Sequence, residues 1–324
     1  MVPSQFREDL LHWYALHKRD LPWRRTTDPY CIWVSEVMLQ QTRVAVVVPY
    51  YERFLEKFPD VEALAGAAET DLLAAWAGLG YYSRARNLQK AAKRVAELGT
   101  FPGDYVALRA LPGTGEYTAA AVGSIAFGLP VAAVDGNVMR VVSRIAAEEE
   151  PAAVRKLAAG LVDRDNPGDY NQAMMELGAT VCLPAQPQCL LCPVAAHCEA
   201  RKQGRQSEFP VRKVRAVKNA VEQTVLVIKR DDAVLFYQRP REIRKMAAFW
   251  ELPLVEHLPG ARVGAKLGMF RHTIMNTRYR IEVVSARIGK VPAGFTWLTV
   301  EQRGTLPLST TARKALQVAS ESKG

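Results

Sequence analysis

Four of the five cysteines in this 324-residue chain lie within one short segment, with the spacing Cys-x6-Cys-x2-Cys-x5-Cys. They are Cys182, Cys189, Cys192 and Cys198. Four thiolates so close in sequence suit either a tetrahedral zinc ion or a cubane iron–sulfur cluster. In a chain without a secretion signal, clustered cysteines favour metal ligation over disulfides. The spacing is not that of ferredoxins, so electron transfer is not the first interpretation.

Two carboxylates stand in apolar surroundings. Glu36 lies within WVSEVMLQQT (33–42), and if it is buried, desolvation raises its pKa and keeps it protonated as a general acid. The alternative is an exposed glutamate on a narrow polar face. Asp135 of VDGNVMRV (134–141) follows an apolar run and precedes a glycine. It is either a residue facing a cleft or the N-cap of the next helix.

The segment LPGTGEYTAAAVGSIAFG (111–128) predicts two helices joined by a tight turn. Gly113 and Gly115 allow that turn, and the second helix then begins with free backbone N–H groups. Such a helix start, at the positive end of the dipole, suits a DNA phosphate. The segment is too short for a nucleotide P-loop and lacks its Lys-Ser/Thr pair. A helix-hairpin-helix is therefore predicted, although Pro-Gly turns between helices are common.

These residues lie in a chain that changes character near residue 200. Helical apolar spacing without strand alternation predicts that residues 1–200 are all-α. Residues 201–218 hold seven basic residues and one acidic residue, and predict a basic linker. Further on, TVLVIK, AVLFYQR and TRYRIEVV run with period two, and a closing helix is expected over 310–320. Residues 219–324 therefore predict a small α+β domain.

Caps and breakers give bounds for helices of the first part. Asp28-Pro29 is typical of an N-cap followed by the first helical residue, and Thr70-Asp71 of a helix opening. The expected helices run over 28–41, 70–78, 84–98, 151–162 and 168–181.

Composition and charge narrow the class of protein. Hydrophobic residues make up 49% and charged residues 23%, which is globular composition and excludes disorder. No run approaches about 18 uncharged apolar residues, and the N-terminus lacks the layout of a signal peptide, so we expect a cytoplasmic, nucleoid-associated protein without a membrane span. Residues 1–206 carry 22 Lys and Arg against 23 Asp and Glu, whereas residues 207–324 carry 21 against 10. This asymmetry favours nucleic acid as partner, with a solvated basic face as the alternative.

The hairpin, the aspartate twenty residues after Gly115 and the cysteine spacing together resemble the iron–sulfur DNA glycosylases of the helix-hairpin-helix superfamily. Within it the chain is similar to the MutY-type adenine DNA glycosylases. The resemblance covers essentially the whole chain and is most specific in the first half. The matching segments are LPWR (21–24), SEVMLQQT (35–42), GLGYYSRARNL (78–88), LPGTG (111–115), VDGNV (134–138), NQAMMELGA (171–179), the four cysteines and FRHT (270–273).

The resemblance implies a multi-domain protein. Its all-α helix-hairpin-helix glycosylase domain would carry an iron–sulfur cluster loop at 182–198, with a 4Fe-4S cluster on the four cysteines. Its small α+β Nudix-like domain would read the base opposite adenine. The implied reaction is hydrolytic removal of adenine mispaired with 8-oxoguanine or guanine in double-stranded DNA. We expect a monomer, because the DNA interface needs only one copy of each domain.

The resemblance also implies roles for residues. Glu36 would protonate the departing adenine and Asp135 would stabilise the oxocarbenium-like sugar, which matches the physics of glycosidic cleavage. The other implied residues are Tyr117 and Asn137 in support of Asp135, Gln41 and Tyr81 as wedges in the base stack, Gly113 and Gly115 in the hairpin, Glu176 at the adenine pocket, and His272 and Asn276 in the second domain.

Two residues separate the chain from related enzymes. Bifunctional relatives of the endonuclease III type have a lysine at the position of Tyr117, and that amine forms a Schiff base and cuts the strand. Tyrosine cannot, so a monofunctional glycosylase is implied. Thymine–guanine mismatch relatives lack the glutamate that Glu36 supplies here. The alternatives are a same-fold glycosylase for another mispaired base, such as thymine opposite guanine, a non-catalytic mismatch-binding protein and a zinc-stapled structural protein.

The second half departs from the family in two places. FRHT is usually followed by a Phe-Ser-His loop that contacts 8-oxoguanine, whereas Ile274, Met275 and Asn276 follow here. We predict that the preference for 8-oxoguanine over guanine is reduced or has moved to other residues. Residues 254–269 are also short for the helix of a full Nudix-like domain. The Nudix hydrolase signature is absent, so no pyrophosphatase activity is predicted.

Overall fold

A computed structural model of the chain describes residues 4–211, 219–240, 248–274 and 277–321. In this part of the chain, none of the helices combines the length and hydropathy that a transmembrane segment needs. The chain divides into two compact units that are not consecutive in sequence. The first comprises Met1–Ala67 and Ser83–Lys213, and the second Ala68–Tyr82 and Val214–Gly324.

The first unit is all-α over its described residues, as the apolar spacing predicts. Many of its helices begin at an acidic side chain that accepts a backbone N–H bond, as Asp28, Asp104 and Glu150 do. In chain order, the helices of the described residues are α1 Ser4–His17, α2 Pro29–Leu39, α3 Val44–Lys57, α4 Val61–Gly66, α5 Glu69–Ala75, α6 Ser83–Leu98, α7 Tyr105–Ala110, α8 Glu116–Phe127, α9 Gly136–Ala146, α10 Pro151–Leu161, α11 Pro167–Thr180, α12 Glu199–Lys202, α13 Val300–Thr305 and α14 Thr310–Glu321.

Two of the expected helix bounds are wrong. Helix α2 ends at Leu39, because Gln40 leaves the helical conformation and Gln41 adopts a positive φ of 58°. Helix α5 begins at Glu69, within one residue of its expected start, but it ends at Ala75 rather than at Gly78, because Trp76 is its C-cap and the chain turns at residues 76–78. The helices expected over 84–98, 151–162 and 168–181 are confirmed to within one residue at each end.

A hydrophobic core packs α1, α9, α10 and α11 together. Leu10, Val142, Val154 and Leu177 are among its fully buried side chains. Burial of a side chain of this size contributes about 1.5–3 kcal/mol. This core fixes α9 and α11, whose first and middle residues line the site described below.

The described strands of the second unit form one mixed sheet, which confirms the predicted α+β class. The strand order is β3-β2-β1-β5-β4, and β6 pairs with β2. Strand β1 lies parallel to β5, and the remaining pairings are antiparallel. Helix α14 packs on the sheet through Ala312, Ala315 and Ala319. The strands are β1 Asn219–Arg230, β2 Ala233–Gln238, β3 Trp250–Glu251, β4 Arg262–Ile274, β5 Thr277–Arg287 and β6 Phe295–Leu298.

Residues 254–269, which were expected to be too short for the helix of a full Nudix-like domain, contain no α-helix. Residues 254–269 form a 3-10 turn at Val255–His257 and the first part of β4. The start of the predicted linker also differs from a solvated connector, because Phe209 is buried and its carbonyl accepts a bond from Arg144. Residues 212–218 of that linker lie outside the described residues.

Candidate active site

A cavity of about 710 Å³ opens in the first unit, where α2, α8, α9 and α11 meet. This volume is within the usual range for small-molecule and nucleobase sites. The cavity brings together eight residues predicted from the sequence, which are Glu36, Gln41, Gly113, Gly115, Tyr117, Asp135, Asn137 and Glu176.

Glu36 is buried, with 5% of its surface exposed, on the second turn of α2. Its Oε2 accepts a 2.7 Å hydrogen bond from the Tyr117 hydroxyl. Burial raises the pKa of Glu36 to about 7, against the opposing effect of the Tyr117 bond. The nearby Asp135 raises this pKa further and Arg24 lowers it. Near neutral pH a substantial fraction of Glu36 is therefore a neutral carboxylic acid in the cavity lining. The alternative of an exposed glutamate is wrong.

Both interpretations of Asp135 hold at once. It is the N-cap of α9, with Oδ1 accepting from the backbone N of Val138 at 2.7 Å. Its Oδ2 accepts from Nδ2 of Asn137 at 2.8 Å and lies in the cavity lining. Asn137 therefore bonds to the carboxylate that it is predicted to support. The described hydrogen bonds of the Tyr117 hydroxyl go to Glu36 and Met175, so its support of Asp135 stays a prediction.

Arg140 extends this arrangement toward the cysteine loop. Its Nη2 donates to Oδ1 of Asn137 at 2.9 Å and to the carbonyl of Gly178 at 2.6 Å. Its Nε donates to the carbonyl of Cys182 at 2.8 Å. Arg140 is not among the residues predicted from the sequence, although its place five residues after Asp135 puts it on the first turns of the same helix.

Glu176 is buried in the cavity wall and pairs with two arginines, the largely buried Arg24 and the more exposed Arg19. Arg19 donates to both of its carboxylate oxygens at 2.7 Å, and Arg24 donates to Oε2 at 2.8 Å. Burial raises the pKa of Glu176, but the hydrogen bonds from Arg19 and Arg24 outweigh it and lower the pKa to about 2. Arg24 belongs to the LPWR segment, yet nothing in the sequence pairs it with a residue 152 positions away.

The predicted hairpin is present, with α7 and α8 joined through residues 111–115. Gly113 has a φ of 76°, and a Cβ there would lie 2.6 Å from Cβ of Asn87. Only glycine fits this position without strain. Gly115 is exposed at the N-cap of α8, a Cβ there would meet nothing within 4 Å, and no side chain caps the start of that helix.

The two predicted wedge residues share an unusual backbone conformation. Gln41 and Tyr81 are both exposed, with φ values of 58° and 47°. Gln41 lies at the cavity of the first unit, whereas Tyr81 belongs to the second unit. The turn at Gln41 is held by Arg84, which is buried and donates to the carbonyls of Val37, Met38 and Gln40 at 2.9, 2.9 and 2.5 Å.

The four predicted metal ligands are half-buried around the loop that follows α11. The described residues contain no group of three or more His, Cys, Asp or Glu side chains already gathered as metal ligands. The four thiols nonetheless influence one another electrostatically. Burial raises the pKa of Cys192 to about 12, and the charges of Cys182, Cys198 and Cys189 raise it further.

A buried cation accompanies these thiols. Arg144 is 2% exposed, and its Nη1 lies 3.2 Å from Sγ of Cys182. Its other bonds go to the carbonyls of Leu183, Pro184 and Phe209. In the described part of the chain, no carboxylate forms an ion pair with it. Because a buried charge needs a counter-charge, this guanidinium fits a loop whose cysteines are thiolates.

The second-unit candidates stand apart from this cavity. His272 lies on β4, half-buried, and burial followed by the charge of Lys314 lowers its pKa. Asn276 and Met275 lie outside the described residues. Their role stays a prediction.

Comparison with known proteins agrees with the geometry. Residues 34–163 match the family model of the HhH-GPD superfamily base excision DNA repair protein. The human adenine DNA glycosylase is 35% identical over 97% of this chain and 74% of its own length. The rat adenine DNA glycosylase is 46% identical over 64% of this chain, but the chain spans only 44% of that protein.

Two solved structures share the fold of the first half. A thermostable thymine-DNA glycosylase superposes with a TM-score of 0.57 at 30% identity, covering 61% of this chain and 95% of that one. An endonuclease III–DNA complex superposes with a TM-score of 0.53 at 26% identity, covering 63% and 99%. The chain therefore belongs to the adenine DNA glycosylases, the DNA-binding base excision repair hydrolases of the HhH-GPD superfamily.

Proposed function

We propose that this enzyme removes adenine mispaired with 8-oxoguanine or guanine from duplex DNA, by hydrolysing the N-glycosidic bond and leaving the strand uncut. The observation that carries the proposal is the buried, raised-pKa Glu36 in one cavity with Asp135. An acid that is neutral near pH 7 beside a second carboxylate is the pairing that glycosidic cleavage requires.

The two carboxyl groups divide the work. Glu36 donates a proton to the departing adenine, so that the base leaves as a neutral molecule. Asp135 places its negative charge at the sugar, where positive charge develops in the transition state. Asn137 orients Asp135 through Oδ2, and the N-cap bond from Val138 fixes the other oxygen. Tyr117 holds Glu36 and offers no amine for a Schiff base, which supports a monofunctional reaction.

Adenine recognition is assigned to two other residues of the cavity lining. Glu176 and Arg24 present a carboxylate and a guanidinium there, and both are largely buried. Opposed donors and acceptors in a desolvated pocket can discriminate between bases strongly, because a wrong base leaves them unpaired.

DNA binding is assigned to the hairpin and the two left-handed positions. The exposed start of α8 after Gly113 and Gly115 suits a phosphate. Gln41 and Tyr81 would enter the base stack when adenine turns out of the duplex, as an extrahelical base requires. His272 and Asn276 remain candidates for contacts to the opposite strand. One copy of the chain supplies all these residues, which supports a monomer.

A 4Fe-4S cluster on Cys182, Cys189, Cys192 and Cys198 completes the proposal. The donor set of four cysteines and the buried Arg144 beside Cys182 both fit an anionic metal–thiolate group. When bound, the cluster would hold the four cysteines of the loop at 182–198 together and so tie this loop to the end of α11. Arg144→Met should reduce the visible charge-transfer absorption per protein, whereas the surface variant Arg205→Met should not. A zinc-loaded, colourless protein would exclude the cluster.

The test is a single-turnover excision assay on four duplexes, carrying adenine opposite 8-oxoguanine, guanine or thymine, and thymine opposite guanine. We expect alkali-dependent cutting of the first two only. Glu36→Gln should abolish it while DNA binding persists, and the exposed Glu97→Gln should not. Release of thymine would instead show a glycosylase of the same fold that acts on thymine opposite guanine. Binding without any base release would favour the non-catalytic mismatch-binding protein.

A further inference from the structure

The thioether of Met175 touches the hydroxyl that holds Glu36. Oη of Tyr117 lies 2.7 Å from Oε2 of Glu36 and 3.1 Å from Sδ of Met175. A phenol has one proton to donate, while its oxygen can also accept. The hydroxyl can therefore direct its proton to the carboxyl group or to the sulfur, but not to both.

These two orientations belong to the two protonation states of Glu36. When Glu36 is ionised, Tyr117 donates to it and stabilises the carboxylate. When Glu36 is protonated, its own O–H donates to the Tyr117 oxygen, and the phenol proton needs another acceptor. Among the described contacts of this hydroxyl, the sulfur of Met175 fills that place. A thioether is a weak acceptor, but it needs no water inside the cavity.

We propose that Met175 is a positioning residue, which keeps Glu36 in its protonated form by accepting the hydrogen bond of the Tyr117 hydroxyl. This inference rests on the proposed function, since it concerns the acid of that reaction. Without an acceptor at residue 175, Tyr117 would donate to Glu36 in both states. That bond favours the charged form of a carboxyl group.

The other groups around Glu36 would stay in place when Met175 is changed. Asp135 faces it from the start of α9, Arg24 from the 3-10 turn at Pro22–Arg24, and Tyr117 from α8. Arg84 of α6 contacts the carbonyls at the end of α2. A change in the acidity of Glu36 would therefore come from the orientation of one hydroxyl.

The chain offers a matched pair of variants. Met175→Leu keeps the apolar volume and removes the acceptor, and swaps of this kind usually cost less than about 1.5 kcal/mol. Met174→Leu makes the same change at the preceding residue, which is 1% exposed in the core of α1, α9 and α11. Single-turnover adenine excision would be followed for both across the pH range from about 5 to 9, around the pKa of the acid.

We expect Met174→Leu to keep the wild-type profile. Met175→Leu should match it at low pH, where Glu36 is protonated in either protein. The excision rate of Met175→Leu should begin to fall at a pH about 0.5–1 unit lower than that of the wild-type protein. At a given high pH its rate should therefore be about three to ten times lower. In a Tyr117→Phe background, which lacks the hydroxyl, Met175→Leu should cause no further shift.

The inference would be overturned if the excision rates of the two leucine variants fell at the same pH. It would also be overturned if Met175→Leu shifted the pH profile equally in the Tyr117→Phe background. If the wild-type protein releases no adenine, the proposed function fails and the inference is tested on the carboxyl group itself. The infrared carboxylic-acid band of Glu36, assigned by its loss in Glu36→Gln, would then be titrated. It must disappear at lower pH in Met175→Leu than in Met174→Leu for the inference to stand.

Discussion

The guanidinium of Arg84 lies 2.5 Å from the carbonyl oxygen of Gln40, at the point where α2 ends. The same nitrogen, Nη1, also donates to the carbonyls of Val37 and Met38. The last carbonyls of a helix lack intrahelical partners, and a cation there is favoured by the dipole. Arg84 thereby ends α2 and sets Gln41 in its left-handed conformation.

Arg84→Lys should weaken this turn, because the lysine side chain ends one bond short of Nη1, the nitrogen that donates to all three carbonyl oxygens. Its single nitrogen also cannot replace Nη2, which donates to Oγ1 of Thr42. A left-handed residue costs about 1–2 kcal/mol when it is not held, so excision should fall roughly tenfold. The fluorescence of 2-aminopurine in place of adenine would report whether base extrusion is what fails. Arg94→Lys, on the exposed face of the same helix, is the control. Equal rates for the two variants would contradict this role of Arg84.

The hairpin offers a sharper comparison between two glycines. Gly113→Ala places a Cβ at a positive φ and 2.6 Å from Asn87, so we expect a loss of about 2 kcal/mol or more in stability and weaker DNA binding. Gly115→Ala meets nothing within 4 Å at a φ of −84° and should fold normally. Thermal unfolding and a DNA titration of both variants would measure this. Normal folding and binding by Gly113→Ala would show that the turn is not as rigid as its geometry implies.

The pH dependence of excision should reflect Glu36. Its pKa is raised to about 7 in the folded enzyme, so the acid is present below that pH and is lost as pH rises through it. The single-turnover rate should be level at low pH and fall about tenfold per unit above pH 7. The raised pKa also means that the contribution of neutral Glu36 to stability is lost between about pH 4.5 and 7. A rate that stays constant up to pH 9 would exclude Glu36 as the proton donor.

The carboxylate of Glu176 should change stability with pH in the direction opposite to that of Glu36. The pKa of Glu176 is lowered to about 2, so its contribution is present above its ordinary value of 4.5 and is lost as pH falls toward 2. Glu176→Gln should destabilise by about 3 kcal/mol at neutral pH, because Arg24 is left buried without a counter-charge. This difference in stability between Glu176→Gln and the wild-type protein should become smaller as pH falls toward 2, because Glu176 is then protonated in the wild-type protein as well. Glu97→Gln, in an exposed pair with Arg94, should cost less than about 0.5 kcal/mol. A similar loss in both variants would contradict the importance of burial.

Local signals account for the part of this structure that the sequence predicts. The N-cap at Asp28, the turn at Gly113 and the N-cap at Asp135 each depend on residues a few positions apart. The period of apolar residues adds the helices, and the change to period two adds the sheet. For this reason the all-α and α+β halves, and most helix bounds, are confirmed.

Contacts between distant residues account for what the sequence does not predict. Tyr117 meets Glu36 across 81 positions, and Arg24 meets Glu176 across 152. No periodicity specifies which tyrosine or arginine will reach a given carboxylate, because that depends on how whole helices pack. The early end of α2 has the same origin, since it follows from a bond to Arg84, 44 positions after Gln40.

The loop that follows FRHT should set how strongly the enzyme prefers 8-oxoguanine. Where the family usually has serine and histidine, this chain has Met275 and Asn276, and a lost hydrogen bond there is worth about 1–3 kcal/mol. The double variant Met275→Ser with Asn276→His should therefore raise the ratio of excision rates opposite 8-oxoguanine and opposite guanine by roughly fivefold to a hundredfold. Single-turnover rates on the two duplexes would give this ratio, with Met269→Ser on β4 as the control for loss of a methionine. An unchanged ratio would mean that discrimination between the two bases depends on other residues of the chain.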